Sequence, residues 1–122
     1  MCRIGTLSEP MDADTFARHT AAVLETAVRL SGDGTIRSIA VCGGSGGDFI
    51  DALLGKADAF VTGEVRHHEW LTANARGLTV IEAGHYATEV PVVDTLYHWL
   101  RDAFPALPVT AYYDNAPYET VR

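Results

Sequence analysis

Three short apolar runs, each closed by a glycine, most constrain what this chain can fold into. Ile39-Ala40-Val41-Cys42 runs into Gly43, Ala57-Asp58-Ala59-Phe60-Val61-Thr62 meets Gly63, and Leu78-Thr79-Val80-Ile81-Glu82-Ala83 meets Gly84. Ile39-Ala40-Val41-Cys42 is continuously apolar, as suits a strand covered on both faces. Helical periodicity fills the gaps between the runs. It begins at Asp48 and passes through Phe49, Ile50, Leu53 and Leu54, and it returns from Glu64 to Arg76. Gly77 is placed to end that second helix. Alternating strand and helix predicts an α/β domain with a largely parallel sheet flanked by helices.

The flanking segments extend the same pattern. Arg3 to Leu7 reads as a short edge strand, and Ser8-Glu9-Pro10 as a turn. From Asp12, Phe16, Thr20, Val23, Ala27 and Leu30 recur at helical steps, up to a break at Ser31-Gly32-Asp33-Gly34. Ile36 to Cys42 is the next strand. A last helix is expected over 88–104, with Pro91 in its first turn and Val92, Val93, Leu96, Tyr97, Leu100 and Phe104 as its buried stripe. Val109 to Tyr113 reads as a final strand. The expected organisation is one domain over residues 3–113 and a tail over 114–122.

Composition excludes several classes. The formal net charge is −7 with nine Lys and Arg. They are scattered, so general nucleic-acid binding is not expected. No apolar stretch approaches the ~20 residues of a transmembrane helix, and the first residues lack a signal-peptide pattern. Cys2 and Cys42 do not make a disulfide framework, so a reducing, cytoplasmic setting is the expectation. Cys42 ends a buried strand beside a glycine loop and a possible helix start, which could lower its pKa; a buried structural thiol is the favoured reading.

Chemistry could sit in three places. Gly44-Ser45-Gly46-Gly47, after Gly43, joins a strand to a helix start. Backbone N–H groups there could hold a small anion such as phosphate or carboxylate. The loop lacks the ending of a P-loop and the third glycine of a dinucleotide fingerprint, and a tight turn for close backbone packing explains it equally well. Second, Glu64 and His68 stand four apart on the expected helix and so share a face just after a strand. A solvated first turn is the plainer reading of one such pair alone, but the pair follows a parallel strand directly and would face the same sheet edge as His85. Third, His85 follows the Gly84 turn, and Glu89 enters the first turn of the next helix. An imidazole and a carboxylate at one point above the strand ends could hold a divalent metal. A helix cap and a surface acid are the alternative reading of the same two residues. Two ligands do not close a site. Asp48, Glu64, His67 and His68 are the further candidates.

Val41-Cys42-Gly43-Gly44-Ser45-Gly46-Gly47-Asp48, Ala57 to Glu64 with His68, and Ile81-Glu82-Ala83-Gly84-His85-Tyr86-Ala87-Thr88-Glu89 together resemble the carboxy-terminal half of the GTP cyclohydrolase I type 2 homologue family, also called the NGG-interacting-factor family. The resemblance covers roughly residues 3–112. It implies an α/β fold of two similar halves, a ring-shaped oligomer, and a two-metal site in the cleft between halves. It implies His85 and Glu89 as ligands of zinc, iron or a related divalent ion, with Thr62, Gly63, Glu64 and His68 facing the same cleft. The family's remaining ligands, an adjacent His-His pair followed by Pro and a later Asp, belong to an amino-terminal half that this sequence does not include. His67-His68 does not substitute, because Glu69-Trp70 follows it.

Two functions are therefore expected to compete. One is a metal-dependent hydrolase, with His85 and Glu89 as ligands, and with Glu64 or His68 positioning substrate or moving a proton. The other is a non-catalytic module for oligomerisation, regulation or metal handling. Either would work as a homo-oligomer or beside a separate amino-terminal half.

Overall fold

The computed structural model describes residues 1–117. Five strands form one sheet: β1 Arg3–Asp12, β2 Arg29–Ser31, β3 Thr35–Ser45, β4 Ala59–Glu64 and β5 Thr79–Glu82. Their spatial order is β1-β3-β4-β5-β2. The two interior pairings, β3 with β4 and β4 with β5, are parallel. The two edge pairings are antiparallel. The helices are α1 Ala13–Val23, α2 Ile50–Leu53, α3 His67–Ala75, α4 His85–Glu89 and α5 Pro91–Ala103. A 3-10 turn, Gly47–Phe49, leads into α2.

The apolar runs explain the layers. Alternate residues of β3 and β4 point to opposite faces. Ala40, Cys42, Phe60 and Val80 meet Ile50, Leu53 and Ala73 under α2 and α3. Ile36, Ala59, Val61 and Ile81 meet Ala13, Phe16 and Ala17 of α1 on the other side. Asp12 caps α1: its Oδ1 accepts the Thr15 N–H at 2.9 Å, which supplies one of the acceptors a helix start lacks.

Several expectations change. The first helix stops at Val23 rather than reaching Leu30. Glu25 takes φ +50°, which a helix cannot continue through. Arg29–Ser31 then pairs with β5 as an edge strand, and the Arg29 guanidinium meets the buried carboxylate of Glu82. β1 runs past Ser8-Glu9-Pro10 to Asp12, and its register shifts between Thr6 and Met11. Pro10 is tolerated there because an edge strand has no partner for its missing N–H.

The last helix is two helices. Pro91 lacks the N–H that would continue the ladder from α4, so α5 restarts at Pro91. No residue of α5 is buried. The expected core stripe is open instead, with Val92, Leu96 and Phe104 each about half exposed. Val109 to Tyr113 forms no strand. The sheet's edges are held by β1 and β2, and this segment lies by α5, where the Tyr113 hydroxyl donates to Asp94. Of the expected tail, residues 118–122 lie outside the described residues.

Candidate metal centre

The site is built where β3, β4 and β5 end together. β5 leaves the sheet at Glu82, and Gly84 takes φ +82°, a conformation that strains any side-chain-bearing residue. That turn starts α4 at once. His85 is therefore its first residue, and His85 and Glu89 stand one turn apart on the same helix rather than on a loop and a helix. Residues four apart share a helix face. Accordingly, His85 Nε2 lies 3.2 Å from Glu89 Oε2.

Glu64 reaches the same imidazole from the other side. It is the last residue of β4, paired with Ser45 of β3. Its Oε1 lies 3.2 Å from His85 Nδ1. The Glu64 carboxylate holds the His85 imidazole above its ordinary pKa, against a smaller opposing effect of burial, and Glu89 adds to the rise. Each ring nitrogen thus faces one carboxylate. All three side chains are near half exposed and border a cleft of about 570 Å³, together with Tyr86, Val90 and Tyr113.

The expectation that Glu64 and His68 share a helix face is corrected. α3 begins only at His67, because Glu69, its third residue, accepts the Arg66 N–H at 2.6 Å and so sets the helix start. Burial pushes the Glu69 carboxyl up, but the hydrogen bonds from Arg66 outweigh it and hold the group below its ordinary value. His68 is carried to a separate small cleft, beside Asp48, Asp51 and Glu69. Asp48 pairs with Arg66.

The glycine segment is also placed differently. Gly43, Gly44 and Ser45 belong to β3, and only a 3-10 turn and the four-residue α2 follow. A side chain at Gly44 would run into the Glu89 carboxylate and His85, one at Gly46 into Thr62, and one at Gly47 into Glu69. These close approaches account for Gly44, Gly46 and Gly47. Ser45 is exposed.

Thr62, expected to face the cleft, is instead fully buried, and with Thr88 it locks the edge. Thr88 Oγ1 accepts the Gly44 N–H at 3.0 Å and lies within hydrogen-bond reach of the Gly84 and His85 carbonyl oxygens. Thr62 Oγ1 donates to the Gly44 carbonyl at 3.2 Å. Gly63 completes the contact, since a Cβ there would stand 2.6 Å from the same carbonyl oxygen. Thr88 meets β3 through Gly44, while His85 and Glu89 border the cleft.

As donors, one imidazole nitrogen and one carboxylate oxygen 3.2 Å apart suit a zinc- or iron-type cation. Two ligands about 2.1 Å from one ion and at a right angle lie about 3 Å apart. Among the described residues, no group of three or more His, Cys, Asp or Glu closes on one point. Glu64 does not make a third ligand, because it addresses the opposite nitrogen.

A profile of the Duf34/NIF3 (NGG1p interacting factor 3) family matches residues 1–116. The chain belongs to this family. Similar Duf34/NIF3 relatives include two proteins named GTP cyclohydrolase 1 type 2 homolog. That of Pseudomonas aeruginosa is 39% identical over 103 residues, covering 83% of this chain and 41% of the relative. That of Pasteurella multocida is 34% identical over 104 residues, covering 82% of this chain and 41% of the relative. The crystal structure of Staphylococcus aureus protein SA1388 superposes with a TM-score of 0.83 at 27% identity, over 99% of this chain and 42% of that one. The chain therefore spans about two-fifths of the length of the relatives it matches. Among the described residues, no helix is long and apolar enough to cross a membrane.

Proposed function

We propose that this chain supplies one side of a divalent-metal site, with His85 and Glu89 as its ligands, in a hydrolase-like assembly whose other ligands come from a second polypeptide or a second half. The observation that carries the reading is the 3.2 Å approach of His85 Nε2 to Glu89 Oε2 over an open cleft. The partner on the far ring nitrogen supports it. A metal-binding histidine commonly donates its other N–H to a carboxylate, which sets the tautomer and the ring angle. Glu64 stands where that carboxylate belongs. In this reading Glu64 is a positioning residue, and His68, in its own cleft, takes no part.

When bound, a divalent cation supplies Lewis-acid polarisation and an activated water for hydrolysis. The chain's own contribution is to orient. Gly44 leaves the space in which the Glu89 carboxylate sits, and Thr88 ties α4 to β3. The relatives' name suggests a nucleotide as substrate class. The chain's share of their length makes that a property of the larger assembly.

Metal content of the purified chain, measured by plasma mass spectrometry beside the His85→Ala/Glu89→Ala double variant, tests the reading. Zinc or iron near one equivalent per site, lost in the variant, is expected. Equal metal in both proteins sinks it. A non-catalytic assembly or metal-handling module is the second reading, favoured by the absence of a closed three-ligand group among the described residues. Metal-stimulated hydrolysis of nucleotides or phosphoesters by the chain, abolished by His85→Ala, would eliminate that alternative.

A further inference from the structure

The antiparallel register of β1 on β3 sets Arg3 opposite Val41 and Ile4 opposite Ala40. Continued by one residue, it sets Cys2 directly opposite Cys42. Both cysteines are free thiols. They also lie on the same face of the sheet: Cys42 belongs to the core under α2 and α3, and Cys2 packs against that core. Directly opposed residues of antiparallel strands have Cα atoms about 4.5–5.5 Å apart, and a disulfide spans about 4.4–6.8 Å between Cα atoms. The spacing expected of an opposed pair thus falls within the range a disulfide spans. Exposure divides the roles, since Cys42 is 7% exposed and Cys2 is partly open to solvent.

We propose that Cys2 and Cys42 are a redox-reversible pair, oxidised to a cross-strand disulfide by low-molecular-weight disulfides. The Cys2 thiolate attacks one sulfur of the oxidant, whose S–S bond breaks and releases one thiol. Cys42 then attacks the Cys2 sulfur and expels the second thiol. Two protein thiols are oxidised, one small disulfide is reduced to two thiols, and the protons end on the leaving thiols. Attack needs a thiolate. Burial, and then the nearby Cys42, hold the Cys2 thiol above its ordinary pKa, so the reaction quickens as pH rises. The cross-link would tie the start of β1 to the strand that continues into Gly43 and Gly44, the backbone on which Thr88 and Glu89 rest.

The test treats the full chain with excess oxidised glutathione, followed by intact mass and a non-reducing peptide map. The expected product is a monomer lighter by two hydrogens, with a Cys2–Cys42 peptide pair, no glutathione adduct, and full reversal by dithiothreitol. Cys42→Ser should instead stop at one stable glutathione adduct on Cys2. The wild-type map stands without any variant, so a misfolded Cys42→Ser protein leaves the test intact. Three wild-type results would each overturn the proposal: a lasting Cys2 adduct beside a free Cys42, a disulfide between two chains, or both thiols still free.

Discussion

Glu64 Oε1 and His85 Nδ1 stand 3.2 Å apart, so a residue from the end of a strand sets the angle of an imidazole that begins a helix. The pair is worth little to folding, because both side chains are near half exposed and water screens them. Its worth lies in orientation. If His85 binds metal through Nε2, Glu64→Ala should weaken zinc binding by about 10- to 100-fold, the usual cost of losing such a partner. The melting temperature should barely move. Calorimetric zinc titration beside thermal unfolding checks both halves, and unchanged affinity would remove Glu64 from the site.

Gly44→Ala should be harsher. The residue sits at φ +67° with the Glu89 carboxylate and His85 in the space a side chain needs. A methyl group there strains the backbone and pushes α4 away from β3. Left-handed backbone costs a residue with a side chain roughly 1–2 kcal/mol, and the collision adds to it. Lower stability in urea unfolding should accompany lower metal retention. Gly55→Ala is the control, because Gly55 has a similar φ of +71° and open space. It should lose stability without losing metal.

These residues were legible to different degrees. His85 and Glu89 stood out because an apolar strand, a glycine and two metal-type donors followed in sequence. Glu64 is legible as a candidate, but periodicity extends α3 back to it where the structure ends β4 there. The capping by Glu69 that delays α3 to His67 is a choice between neighbouring residues that periodicity does not resolve. β2 stayed hidden because three residues, Arg29 to Ser31, carry no alternation of their own. They become a strand only against β5, where Glu82 receives Arg29. The apolar stripe of α5 is legible as a stripe. Its burial is not, because amphipathicity says that a face wants cover and not which polypeptide provides it.

Acid should probe the β3–β4 junction through Asp58. Its Oδ2 accepts the Arg37 N–H at 3.0 Å, the Ser38 N–H at 2.7 Å and the Ser38 hydroxyl at 2.8 Å. The bonds from Ser38, backbone first, hold the carboxyl below its ordinary value. The folded state therefore binds this proton less readily than the unfolded chain. Its stabilisation is complete above the unfolded carboxylate pKa of about 4 and fades as pH falls towards the folded value. Asp58→Asn should lower stability at neutral pH and flatten the loss between about pH 5 and pH 2. Urea midpoints across that range would read it. A variant with the wild-type slope would mean that other carboxylates carry the acid sensitivity.

The open face of α5 bears on assembly. Leu96 and Trp99 are 49% and 62% exposed and stand three apart on one side of the helix. Large apolar side chains gathered on one helix face mark a surface that meets something. The relatives are more than twice this chain's length, and a second half or a second copy would each have reason to sit there. If copies of the chain cover it, Leu96→Glu/Trp99→Glu should abolish self-association. Folding should stay close to wild type, since exposed substitutions away from special contacts usually change stability by no more than about 0.5 kcal/mol each. Sedimentation velocity across a concentration series, beside urea unfolding, separates the two effects. A wild-type chain that stays monomeric at every concentration would leave the face to a partner of different sequence. A double variant that unfolds would mean that α5 packs into its own chain more tightly than its exposure indicates.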